Sequence, residues 1–197
     1  MVTLAWVLER CEGGAAALRV RDGSWQTPLH ALCANEGASL ELHALCTRTL
    51  GGDAALRSEE WATPLHYYCA ARCVTPATLA RLLAARPSDA AARDKAEQQT
   101  ALHFLCNNLS VTLELLSVLL EESSSAAPGA VDVDGWSALH FLARNPSVSP
   151  RMLALLLTAA ARERNNDDSS SSSSSSSSFT FACLKDSEEG MTALHYL

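Results

Sequence analysis

The 197-residue chain has no cluster of lysine and arginine, and its net charge is −7. Nucleic acids and anionic membranes bind proteins through a basic footprint that displaces counterions, so neither is an expected partner. Long apolar runs are also lacking. The longest near the start, "LAWVL" (Leu4 to Leu8), is followed at once by Glu9 and Arg10, too short for a signal peptide core or a bilayer span. There is no Gly-rich phosphate loop, no G-x-S-x-G elbow, no C-x-x-C pair and no H-E-x-x-H helix, so no enzymatic chemistry and no cofactor is legible. Seven cysteines without a secretory signal fit reduced thiols in the cytoplasm or nucleus better than a disulfide framework.

What the sequence does have is repetition. "WQTPLHALCAN" (Trp25 to Asn35) returns as "WATPLHYYCAA", "QQTALHFLCNN", "GWSALHFLARN" and, at the end, "GMTALHYL". The histidines of these phrases are His30, His66, His103, His140 and His195. Successive intervals of 36 (30 to 66), 37 (66 to 103), 37 (103 to 140) and 55 (140 to 195) residues are the mark of a solenoid built from one supersecondary unit. A catalytic site present in a single copy would not recur in register.

Each phrase begins with a hydroxyl residue, Thr27, Thr63, Thr100, Ser137 or Thr192, followed by Pro or Ala. That pairing starts a helix: the hydroxyl can cap it, and proline at the first position wastes no donor. Leu29, Leu32 and Cys33 then fall at i, i+3 and i+4, as do Leu65, Tyr68 and Cys69, Leu102, Leu105 and Cys106, and Leu139, Leu142 and Ala143, giving a short helix one apolar face. Nine residues after each histidine of the first four phrases stands a second hydroxyl, Ser39, Thr75, Thr112 or Ser149. It predicts a second helix, with stripes at Leu79, Leu82 and Leu83, at Leu116, Leu119 and Leu120, and at Leu153, Leu156 and Leu157. In the first copy the stripe comes one place early, at Leu42, Leu45 and Cys46. Turn-formers such as Asp22-Gly23 and Asp134-Gly135 fill the loops between units.

Residues 1–164 are therefore expected to form one repeat array. "VTLAWVLERCEGG" (Val2 to Gly14) aligns with "VTLELLSVLLEES" (Val111 to Ser123), so the array is expected to start mid-repeat, on a second helix. Residues 165–178, ending in ten serines, read as a disordered insert in a tolerant inter-repeat loop, since they offer nothing to offset ordering entropy. Residues 179–197 would begin a further repeat, cut off inside its first helix. Both ends lack polar capping units, and a segment of a longer array or an incomplete protein is expected.

These phrases resemble the ankyrin repeat, whose mark is T-P-L-H-x-A at the start of the first helix. "TPLH" is intact at Thr27 to His30 and Thr63 to His66, and relaxed to "TALH" at Thr100 and Thr192 and to "SALH" at Ser137. The likeness covers nearly the whole chain apart from the serine tract. It implies an all-α, ankyrin-like helix-turn-helix solenoid with short extended loops between repeats. It also implies that each histidine hydrogen-bonds within its own turn and to the backbone of the next unit. The chain departs from the family where Ala-Ala is usual, with Leu32-Cys33, Tyr68-Cys69, Leu105-Cys106 and Leu142-Ala143. It departs again two residues before the threonine, where Gly is usual. Gly135 and Gly190 keep it, while Trp25, Trp61 and Gln98 replace it.

Two readings compete for the His-x-x-Cys pairs at His30, His66 and His103. A metal site would need four ligands converging, whereas neighbouring repeats hold theirs roughly 10 Å apart by helix packing. Small, inert, buried thiols are the expected reading. His43, outside the phrase, reads as a surface residue rather than a ligand. Trp25, Trp61 and Trp136 lie just before first helices and are the expected partner contacts, because tryptophan is enriched at binding hot spots. Packing between repeats is the alternative role for them. The expected whole is a monomeric protein-interaction scaffold without catalytic, cofactor or metal sites. A regulatory or targeting segment of a larger enzyme or channel is the alternative.

Overall fold

The computed structural model describes residues 19–42, 56–121, 127–167, 184–187 and 189–196. Its α-helices with bounds inside those residues are α1 (Pro28–Ala34), α2 (Pro64–Ala70), α3 (Pro76–Ala85), α4 (Ala101–Asn107), α5 (Leu113–Glu121), α6 (Ala138–Arg144) and α7 (Pro150–Asp167). Short 3-10 helices cover Pro87–Ala90 and Ala193–Tyr196. Among the described residues there is no strand, only isolated bridges Val131–Ser137 and Lys185–Thr192 at the base of two loops.

The helices form two layers. In the inner layer α1, α2, α4, α6 and the 3-10 turn at Ala193–Tyr196 contact one another in that order, and α3, α5 and α7 do the same in the outer layer. The apolar stripes explain this. Leu29, Leu65, Leu102 and Leu139 are buried, as are Cys33, Cys69, Cys106 and Ala143 at the second stripe position. In the outer layer Leu79, Leu83, Leu116 and Leu119 are fully buried. Each such leucine contributes roughly 1.5–3 kcal/mol by leaving water, and no seven-residue helix could hold its shape without it. On α7 the buried set is Met152, Leu156 and Ala160, while Leu153 and Leu157 are half-buried. Among the described residues no outer helix covers that side of α7.

Second hydroxyls cap outer helices as their spacing predicts. Thr75 Oγ1 accepts from Thr78 N–H at 3.4 Å, Thr112 Oγ1 from Leu115 N–H at 3.2 Å, Ser149 Oγ from Met152 N–H at 3.4 Å and Ser39 Oγ from Leu42 N–H at 3.3 Å. Helix α7 runs to Asp167, so residues 165–167, given to the insert on composition, continue the outer helix. Adding residues to a helix already nucleated costs little. The serine tract, the aligned opening stretch Val2 to Gly14, Leu45, Cys46, His43 and Leu197 lie outside the described residues.

Candidate functional site

Every first helix starts the same way. Thr27, Thr63, Thr100 and Ser137 are extended, and each shares a capping box with the histidine three residues on. Thr27 N–H donates to His30 Nδ1 at 3.0 Å, and the Thr27 hydroxyl lies 2.9 Å from the same nitrogen. The other ring nitrogen crosses to the next repeat, where His30 Nε2 meets Ala62 O at 3.2 Å and His66 Nε2 meets Gln99 O at 3.2 Å. A backbone N–H can only donate and a carbonyl can only accept. The proton therefore sits on Nε2 and the imidazole is neutral.

Burial enforces that state. It lowers His30 and His103 to about 4, and moves His66 and His140 in the same direction. Nδ1 of His103 and of His140 faces the N–H of Thr100 and of Ser137 at 3.1 Å, while their buried Nε2 atoms have no hydrogen-bond partner among the described residues. His195 repeats the local contact, with Thr192 N–H at 3.1 Å from Nδ1, but is exposed. A ring locked as a neutral strut has no proton to give at neutral pH and faces no cleft.

The thiols are equally enclosed. Burial pushes Cys69 up to about 12 and raises Cys106 as well, with the Cys69 charge a lesser contributor. Thiolate is the metal ligand and the nucleophile, so these sulfurs serve as packing. Among the described residues no group of three or more His, Cys, Asp or Glu is arranged to hold a metal ion, and no helix is long and apolar enough to cross a membrane.

The loop before each first helix is a hairpin. Trp25 N–H donates to Asp22 O at 3.1 Å and Asp22 N–H to Gln26 O at 3.0 Å, a tight turn followed by a residue in the left-handed region. That residue is Trp25 (φ 60°), Trp61 (φ 58°), Gln98 (φ 58°), Gly135 (φ 78°) or Gly190 (φ 66°) in successive hairpins. Left-handed backbone costs an L-residue about 1–2 kcal/mol. Two tryptophans nevertheless occupy it, with 58% and 54% of their surface exposed. The Arg21 guanidinium lies 5.2 Å from the Trp25 ring and that of Arg57 lies 5.9 Å from the Trp61 ring.

Trp136 sits one place later in its hairpin and turns inward. It is 9% exposed, its ring centroid 5.4 Å from Phe141 and 5.3 Å from Tyr196, with Arg144 at 4.9 Å over its face. The structure thus separates three residues that look alike in sequence: Trp25 and Trp61 point out, and Trp136 packs.

No protein-family model matches the chain, and no curated protein matches it. Among solved structures, the crystal structure of EF0377, an ankyrin repeat protein, aligns with a TM-score of 0.64 over 96% of this chain and 81% of that chain, at 17% identity. The fold is the ankyrin-repeat fold.

Several residues that build this array carry sequence signals the repeat phrase alone did not expose. Asp22, Asp94, Asp132 and Asp186 each cap a hairpin through Oδ1. Asp22 accepts from Ser24 N–H and Gln26 N–H, both at 2.9 Å, and Asp132 from Trp136 N–H at 2.8 Å. Their signal was an aspartate five or six places before the Thr or Ser; Ser58 holds that place once, and its Oγ has no hydrogen-bond partner among the described residues. Asn35, Asn108 and Asn145, five places after their histidines, close the turn between the two helices. Asn108 Nδ2 donates to Cys69 O at 2.8 Å and Ala71 O at 2.6 Å, and Asn145 Nδ2 to Cys106 O and Asn108 O at 2.8 Å. Meanwhile Asn108 Oδ1 accepts from Ser110 N–H at 2.8 Å and Asn145 Oδ1 from Ser147 N–H at 2.9 Å. This side-chain turn fixes the path of the chain from the first helix to the second. Where the second copy has Ala71 instead, the Tyr68 hydroxyl accepts from Thr75 N–H at 2.8 Å. The residue after each histidine is the last unread signal. Tyr67, Phe104, Phe141 and Tyr196 each meet the preceding repeat's histidine edge-on, the first three at 5.4–5.7 Å.

Proposed function

We propose that this chain is a protein-interaction scaffold without catalytic activity of its own, and that Trp25 and Trp61 contact its partner. The carrying observation is the pair of exposed indoles held on left-handed backbone. Glycine would close the same hairpins without strain, as it does at Gly135 and Gly190, so a strained ring turned to solvent points to contact rather than folding. The buried neutral histidines and un-ionised thiols support a structural, non-catalytic array. Free Cys69, Cys73 and Cys106 fit a reducing compartment, cytoplasm or nucleus, and the acidic net charge fits a protein partner rather than nucleic acid or a membrane. A monomer suffices for such a surface. The test uses Trp25→Gly/Trp61→Gly, because glycine removes the rings and keeps φ. Proteins retained by the wild type from a cell extract and identified by mass spectrometry should be lost from the variant, whose melting curve should stay near that of the wild type. An unchanged set of retained proteins would sink the assignment.

A further inference from the structure

Successive hairpin tips are joined by one backbone bond each: Glu59 N–H to Ser24 O at 3.0 Å, Lys95 N–H to Glu60 O at 2.7 Å, Val133 N–H to Glu97 O at 3.0 Å and Ser187 N–H to Asp134 O at 2.8 Å. The acceptors stand in register, so Glu60, Glu97 and Asp134 place an exposed carboxylate on three successive hairpins, with Ser24 at that place in the first. Glu59 on the donor side of the second hairpin adds a further exposed carboxylate, and Lys95 is the cation of that donor row. The exposed rings of Trp25 and Trp61 stand at the beginning of the same row. Between Glu97 and Asp134 the surface opens into a cavity of about 200 Å³ whose lining includes Gln99, Trp136, Phe141 and, as its one cation among the described residues, Arg144. Gln99 Nε2 donates to Glu97 at 2.6 Å and to Asp132 at 3.2 Å, which fixes the acidic wall. The Trp136 ring at its floor already carries one guanidinium, that of Arg144 at 4.9 Å.

We infer that this ladder docks an extended, basic segment of a partner protein, with lysine or arginine at every third residue. This rests on the scaffold reading and names the chemistry of its partner. Packed helices, and hence hairpins, repeat every 8–10 Å or so, and an extended chain advances about 3.3 Å per residue. Every third side chain therefore meets the next carboxylate. Long cationic side chains bring apolar stems, which the two indoles cover, while their charged heads meet carboxylates, those of Glu97 and Asp134 at the cavity included. An acidic segment would meet repulsion at each step, and a helical one would present its charges at the wrong interval.

The probe is a labelled synthetic peptide of about twelve residues, enough for an extended chain to span four hairpins, with lysine at every third position and serine or leucine between. Binding is followed by anisotropy of the label and by the emission of Trp25 and Trp61. The spaced peptide should bind, more tightly than a peptide of equal composition with its lysines contiguous, and a glutamate analogue should not bind. Glu60→Gln/Asp134→Asn, whose side chains make no hydrogen bond among the described residues, should weaken binding about tenfold with an unchanged melting curve. Wild-type titration at rising salt, which should weaken binding as well, needs no variant to fold. Equal binding of all three peptides, or equal binding by the neutralised variant, overturns the inference. If Trp25→Gly/Trp61→Gly loses the cellular partner while Glu60→Gln/Asp134→Asn keeps it, the scaffold stands and the basic segment falls.

Discussion

Lowering the pH from 7.5 to 5 should destabilise this protein, and His103 sets a minimum for the effect. Its imidazole is 1% exposed, and its Nδ1 faces the Thr100 N–H at 3.1 Å, where a second ring proton would meet a donor. Burial holds its folded pKa near 4, against 6.5 for a histidine in water. The unfolded chain therefore takes up the proton first. A folded pKa below the unfolded one gives stability that is complete above pH 6.5 and is lost as pH falls toward 4. At pH 5 an unfolded histidine is almost fully protonated and the folded one mostly neutral, so linkage makes the loss at His103 about 2 kcal/mol. His30, His66 and His140 add to it with the same sign. Most carboxylates stay ionised at pH 5, so the window isolates the imidazoles. Urea unfolding followed by circular dichroism at pH 7.5, 6 and 5 reads the free energy directly. A stability independent of pH over this range, or ring resonances of His103 titrating near 6.5, would refute the neutral-strut assignment.

Leu102→Ala opens a cavity at a fully buried position of α4 and should cost about 2–5 kcal/mol in chemical denaturation; an unchanged midpoint would contradict the assigned core face. Asn108→Ala removes both inter-repeat donors and the turn contact to Ser110, and should cost about 1–3 kcal/mol, because the part-buried carbonyls of Cys69 and Ala71 lose their partner. Gly135→Ala should destabilise by about 1–2 kcal/mol, since its φ is 78° and the new Cβ would stand 3.3 Å from Ser187 N. Trp61→Gly should move the melting free energy by less than about 1 kcal/mol, because relief of the left-handed strain offsets the lost Arg57 contact and the entropy of glycine. A loss of several kcal/mol there would make the ring a structural prop.

The period of the phrase and the identity of its Thr-x-x-His core were enough to place the helices, their caps and their apolar faces. Thr27, Leu29, His30 and Cys33 recur with the same chemistry, and a solenoid repeats one solution. Hairpin geometry was harder to read, because it depends on backbone state rather than residue type. Nothing in "SW", "EW" and "EQ" announces that Trp25, Trp61 and Gln98 share a left-handed slot with Gly135 and Gly190. The inter-repeat bonds were hidden for another reason. Asn108 reaches carbonyls 37 and 39 residues away, so its role is visible only when two repeats are superposed and their fixed offset is noticed. The tryptophans divide on one residue of register. Trp61 precedes its threonine by two places and emerges, whereas Trp136 precedes Ser137 by one and folds into the layer with Phe141 and Tyr196.

That single-residue difference bears on how the surface is built. In an array where each unit contacts only its neighbours, a side chain facing along the stack is constrained by the next repeat, and one at a hairpin corner facing solvent is not. The corner slot demands positive φ, so the residue that fits it best is glycine and any other lowers stability. Gln98 in the same slot is engaged: its carbonyl accepts from Arg93 at 2.9 Å and its amide donates to Asp94 O at 3.0 Å. Among the described residues Trp25 and Trp61 take an exposed guanidinium over the ring, a contact worth about 0.5–1 kcal/mol at such sites, which at most offsets the backbone strain. Folding alone gives no net reason for indoles at these two corners, which is why we propose that they contact a partner.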